Sequence, residues 1–102
     1  MGIRTQIFTE IEKERHRQDA KWGEQNHSPE KWCLILGEEF GEVAHEALEL
    51  VNNFQPQDQS PVYHIDYKRV MLLRYRKELI QTAAVCVSML ESLERNELSG
   101  IE

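Results

Sequence analysis

Little in this 102-residue chain would break or cross-link it: there are three prolines, five glycines and two cysteines. Cys33 and Cys86 lie far apart, with no CxxC and no histidine at zinc spacing, which argues against a disulfide framework and a zinc site and predicts two reduced thiols. Apolar runs of membrane-spanning length are missing. So is the apolar stretch of a signal peptide, because the N-terminal MGIRTQIFTEIEKERHRQ carries charge throughout. A cytoplasmic protein with no membrane partner is expected. Positive charge is also scarce, with 12 Lys and Arg against 18 Asp and Glu, a net charge of −6, and no unbroken basic run to track a phosphate backbone. Duplex nucleic acid is therefore not an expected partner. A nucleotide remains one if a divalent cation stands between carboxylates and phosphates.

No strand-like alternation and no internal repeat is present, and what is there is helical periodicity. Ile3, Ile7, Phe8 and Ile11 are spaced for a first helix over 3–21, stopped by Gly23. Ser28, Pro29 and Glu30 read as an N-cap, a first-turn proline and an acid favourable to the helix dipole, opening a second helix over 29–53. Its apolar stripe, expected to be core, is Leu36, Phe40, Val43, Ala47, Val51 and Phe54. Two prolines predict an extended loop over 54–66. Asp66 then caps a third helix over 67–96, with the stripe Leu72, Tyr75, Leu79, Ala83, Cys86, Leu90 and Leu93. The expectation is one all-α domain over 1–102, a bundle of about three long helices. A chain this short leaves apolar surface uncovered, so self-association is expected as well.

Glu38, Glu39, Glu42, Glu46 and Glu49 crowd the second helix. On a helical wheel Glu39, Glu42 and Glu46 share one flank of the stripe, whereas Glu38 and Glu49 point further towards solvent. Like charges three and four residues apart repel, and partial burial adds to the cost, so a neutralising cation accounts for the cluster economically. Glu78 occupies the matching flank of the third helix, three residues before Gln81, and packing the helices together brings Glu39, Glu42 and Glu78 within reach of one ion. An all-oxygen site favours Mg²⁺, with Mn²⁺ as a substitute, and Mg²⁺ commonly shares its shell with substrate phosphates. Without a cation, the same residues read as ordinary solvated faces of good helix formers.

Glu38-Glu39-x-x-Glu42 and Glu78-x-x-Gln81 resemble the EExxE and ExxD pair of the MazG-like all-α nucleoside triphosphate pyrophosphohydrolases. The stretches ERHRQDAKWGEQ (14–25), WCLILGEEFGEVAHE (32–46) and ELIQTAAVCVSML (78–90) are similar to a phage and bacterial branch of that family and, with their spacing, cover nearly the whole chain. The resemblance implies a four-helix-bundle-like core completed by dimerisation, in a homodimer or homotetramer. It also implies hydrolysis of an NTP or dNTP to the monophosphate and pyrophosphate by a metal-activated water. Glu39, Glu42 and Glu78 would then hold Mg²⁺, with Glu38 or Glu39 as the base. Gln81 stands where the family has aspartate, a neutral and weaker ligand, and Glu46 is a candidate additional ligand.

Lys21, Arg15, Arg17, Arg74 and Lys77 are candidates to meet the triphosphate, set against ordinary surface roles. Trp22 and Trp32 flank the first interhelical loop, where an indole either stacks on a base or plugs the core. His16, His27, His45 and His64 show no metal-ligand spacing among themselves. Two other readings stand beside the enzymatic one. Glu42-Val-Ala-His45 matches the Glu-x-x-His of di-iron carboxylate bundles, and a helical module without catalysis would dimerise and bind a protein through its long loop.

Overall fold

The computed structural model describes residues 2–53 and 61–101, which are helical apart from Gly2, the connection over 23–28 and a turn over 99–101, with no strand among them. The elements in order are α1 (Ile3–Trp22), α2 (Pro29–Asn53) and α3 (Pro61–Leu93), with α3 ending in a π-helical turn, Glu94–Leu98. Local chemistry explains the boundaries. The Ser28 hydroxyl accepts the Lys31 N–H at 3.2 Å, capping α2, with Pro29 and Glu30 in its first turn. Gly23 closes α1, donating its N–H to the Asp19 carbonyl at 2.8 Å with φ +73°, a left-handed conformation that an L side chain would strain.

The start of α3 departs from expectation. The helix begins at Pro61, six residues before position 67, so Asp66 lies inside it and caps nothing. Proline lacks only a backbone N–H that the first helical turn leaves unsatisfied, and the same residue that suggested a loop is compatible with a helix start. Of the expected loop, residues 54–60, including Phe54, lie outside the described residues.

Helix α3 is the spine: α1 and α2 each pack against it, and they do not approach each other closely along their backbones. Buried are Trp32 and Val43 from α2 and Met71, Ala84, Val85 and Ser92 from α3. Met71, Val85 and Ser92 recur at multiples of seven, in line with half-buried Glu78. The core seam of α3 is thus rotated from the expected stripe, of which Leu72, Leu79, Cys86 and Leu90 are exposed. The same holds for α2, where Val43 is buried and Leu36 and Ala47 half-buried, but Phe40 and Val51 are exposed. The physical reason is that both helices carry apolar side chains on two sides, and a single chain covers one.

Charged pairs fasten α1 to α3 at two levels: Arg76 grips Glu10 with both terminal nitrogens, and Arg15 bridges Asp19 and Glu91 at 2.9 and 2.8 Å. At the far end, Arg95 donates to the Gln25 carbonyl at 3.2 Å and to Asn26 Oδ1 at 3.0 Å. Asn96 donates to the same Asn26 oxygen at 2.8 Å. The π turn brings these residues against the 23–28 loop and so fixes one end of the cleft between α1 and α2. No helix among the described residues is long and apolar enough to cross a membrane.

Candidate metal centre and adjoining cleft

Where α2 crosses α3, carboxylate oxygens of Glu39, Glu42 and Glu78 all lie within 4.8 Å of one another. Positions 39 and 42 share a flank of α2 because they are one turn apart, and Glu78 meets them from the buried line of α3. Burial, then Glu42, Glu14 and Glu38, raises the Glu39 carboxyl above its usual range. Burial, a hydrogen bond and repulsion from Glu42, and the charges of Glu39 and Glu46 do the same to Glu78. One oxygen of Glu78, Oε2, is buried without any hydrogen-bond partner. An orphaned acceptor of this kind costs about 1–3 kcal/mol, more when charged. A cation held by the three carboxylates would satisfy that oxygen and relieve the repulsion, so this donor set fits a hard divalent ion.

The remaining candidates divide. Glu38 is exposed beside Glu39, acting on it by charge without joining the cluster. Glu46 is half-buried and acts on Glu78 in the same way. Glu42 is exposed, more so than its place on the flank suggested, and Glu49 is half-buried, holding Asn53 at the end of α2 by a 3.1 Å hydrogen bond. His45 is exposed, 3.8 Å from Glu49 on the solvent side, and does not enter the cluster, so the Glu-x-x-His pattern does not converge on these carboxylates. Both cysteines are free and exposed.

Beside the carboxylates a cavity of about 490 Å³ opens between α1 and α2, floored by α3. Its walls include Glu39 and Gln81 together with Lys21, Trp22 and Trp32. Trp22 is 61 % exposed, with the Lys21 ammonium 4.8 Å from the centre of its ring. Trp32, by contrast, is 3 % exposed, and its indole N–H is buried without an acceptor. Lys77 lines a neighbouring cavity of about 400 Å³ between α1 and α3, shared with Arg17, Arg76 and Gln81. Gln81 therefore stands at the junction of the two cavities.

Sequence reading missed Glu14. It lines both cavities, receives two hydrogen bonds from Arg17 at 2.8 and 2.6 Å and one from Gln18 at 3.2 Å, and adds its charge to those acting on Glu39. Arg17, then Gln18 and Lys77, hold its own carboxyl below the usual range against the effect of partial burial. A signal was available: Glu14 continues the spacing of Ile7 and Ile11, which places its carboxylate on the half-buried side of α1 rather than in solvent. The run EKERHRQDAK around it hides that series among charges.

Compared with known proteins, the chain matches no family model, no curated protein and no solved structure.

Proposed function

We propose that the protein is a Mg²⁺-dependent nucleoside triphosphate pyrophosphohydrolase, converting an NTP or dNTP to its monophosphate and pyrophosphate. The observation that carries this reading is the convergence of Glu39, Glu42 and Glu78, with one Glu78 oxygen buried and unpartnered, beside a cavity of ligand size. The resemblance of residues 14–25, 32–46 and 78–90 to the MazG-like family, carried in part by the same glutamates, supports it.

In this reading Glu39, Glu42 and Glu78 hold Mg²⁺, or Mn²⁺ in its place, and the ion when bound neutralises phosphate charge and acidifies a water. Glu38, exposed and next to Glu39, accepts the water's proton as attack on the α-phosphorus releases pyrophosphate. Gln81 contributes a neutral amide oxygen at the meeting of the two cavities, and Glu46 reinforces the negative field around Glu78. Lys77 and Arg17 face the departing pyrophosphate from the neighbouring cavity, while Lys21, Trp22 and Trp32 face the nucleoside.

The active form in this reading is a homodimer, or a homotetramer built from it. The chain exposes 7731 Å², about 1,700 Å² more than the roughly 6,000 Å² of a compact monomer of this size. Its radius of gyration is 17.4 Å, against about 13 Å for a globular domain. The excess is on the scale of a stable interface, and Phe40 and Leu90, 63 % and 61 % exposed, lie on the faces a second copy covers. The reading also carries a cytoplasmic setting.

The test is a panel of NTPs and dNTPs with Mg²⁺ or Mn²⁺, with monophosphate and pyrophosphate resolved from diphosphate and phosphate. Monophosphate and pyrophosphate should form and should disappear in Glu42→Gln. Absence of turnover across the panel with either metal would overturn the enzymatic reading and leave a helical binding module.

A further inference from the structure

Helix α2 carries a second apolar line that its own chain leaves uncovered. Cys33, Gly37, Phe40, Ala44 and Ala47 follow one another at intervals of four, three, four and three, the a and d spacing of a coiled-coil seam. All are exposed except half-buried Ala47, and none is charged. Gly37 and its neighbour Gly41 sit in mid-helix, where a glycine costs about 1 kcal/mol relative to alanine. A Cβ added at either would meet nothing within 4 Å in its own chain. What bare backbone permits at such a place is the close approach of a helix from outside.

The same line holds a knob beside a hole. Phe40 is 63 % exposed. One turn before it, Leu36 helps to wall an apolar cavity of about 320 Å³, with Trp32 from α2 and Cys86, Met89, Leu90 and Leu93 from α3. Trp32 and Leu36 centre on position 34, six residues before Phe40, and Gly37 is the midpoint. Six residues of helix span about 9 Å. A two-fold axis through Gly37, perpendicular to α2, therefore brings Phe40 of each copy over the cavity of the other. Parallel pairing would set Phe40 against Phe40 and leave both cavities unfilled.

We propose that two copies of the chain pair antiparallel along α2, crossing at Gly37, with Phe40 of each filling the apolar cavity beside Trp32 of the other. The inference rests on the homodimer of the pyrophosphohydrolase reading and assigns its interface. Each copy supplies both knob and hole, the self-complementarity that a closed two-fold contact requires. The surface in excess of a compact chain, about 1,700 Å², is about twice the roughly 800 Å² that each partner buries in a standard interface. Glu39 and Glu42 leave α2 on the side away from the seam, so the pairing keeps the carboxylates and their cavity open.

The test is the mass in solution of wild type, Gly37→Leu and Phe40→Ala, by light scattering over a dilution series. Wild type should have the mass of two chains. Gly37→Leu should have the mass of one with undiminished helicity by circular dichroism, because the isolated chain has room for the side chain and leucine favours the helix. Phe40→Ala should raise the dissociation constant about 100- to 1,000-fold, since the axis counts each loss of about 10- to 30-fold twice, and this variant decides the question if Gly37→Leu does not fold. In Trp22→Phe protein the emission of Trp32 should move to longer wavelength as the dimer dissociates and water enters its cavity. A dimer that survives both substitutions, or Trp32 emission unchanged on dissociation, overturns this interface and leaves the homodimer standing. A wild-type chain of single mass overturns both, while the nucleotide panel decides the chemistry separately.

Discussion

Replacing Glu78 by glutamine should make the metal-free protein more stable and at the same time deprive it of its response to divalent cations. The carboxylate oxygens involved lie within 4.8 Å of one another. Two unit charges at that distance repel by about 3.5 kcal/mol at an effective dielectric of about 20 and about 1 kcal/mol in water. Glu42 is exposed, so solvent screens its share, and the expected gain is about 1–2 kcal/mol, or about 5–10 °C in melting temperature. On the proposed metal binding, wild-type protein should gain instead from the cation, by about 2.7 kcal/mol at a metal concentration one hundred times Kd. Melting followed by circular dichroism, in chelator and then in excess Mg²⁺ or Mn²⁺, should therefore show the two proteins exchanging order. Glu78→Gln melts higher without metal and lower with it. A variant that melts below wild type in chelator, or that responds to metal as wild type does, would refute the argument that unneutralised charge strains this junction.

Acid should act on the metal-free protein in the same direction as that substitution. Glu39 and Glu78, raised by burial and by neighbouring carboxylates, take up protons in the folded state before the unfolded chain does; their contribution is complete below the ordinary carboxylate range and lost as pH rises through their folded pKa. Glu14 and Glu10, held down by Arg17 and Arg76, contribute above that range and lose their contribution in stronger acid. Metal-free melting temperature should thus peak in mild acid, with the fall on the alkaline side smaller in Glu78→Gln, and cation affinity should strengthen with pH. Arg95→Ala removes the contacts to Gln25 and Asn26 and should cost about 1 kcal/mol in urea unfolding, with faster amide exchange confined to residues 24–27; protection unchanged there would show the clamp to be idle. Leu90→Asp should reduce the assembled mass measured by light scattering to that of one chain, and an unaltered mass would remove this face from the interface.

What the sequence made legible was local or strictly periodic. Ser28, Pro29 and Glu30 identified the start of α2 because capping needs only neighbours, and Glu39, Glu42 and Glu78 came together because their spacing and flank set their direction. Where two physical effects compete, sequence was a poorer guide. Pro61 is compatible both with ending a helix and with starting one, and tertiary context decides. Leu72, Leu79 and Leu90 form a good stripe, but α3 has a second inward line through Met71, Val85 and Ser92, and no pattern in one helix says which side its own chain will cover. Trp32 and Trp22 were indistinguishable as residues near helix ends, yet Trp32 in the first turns of α2 is buried and Trp22, the last residue of α1, is open, a difference that only tertiary packing decides.

The spine arrangement divides labour within so short a chain. The carboxylates sit on α2 and α3, while α1 supplies the opposite wall of the cleft and keeps its backbone away from that of α2. A change in the α1 wall therefore alters the shape of what is admitted without disturbing the geometry of the acidic junction. In the proposed enzyme the chemistry stays constant while specificity drifts through residues such as Lys21 and Trp22, and α1 is the element to diversify in a search for variants with new ligand preferences.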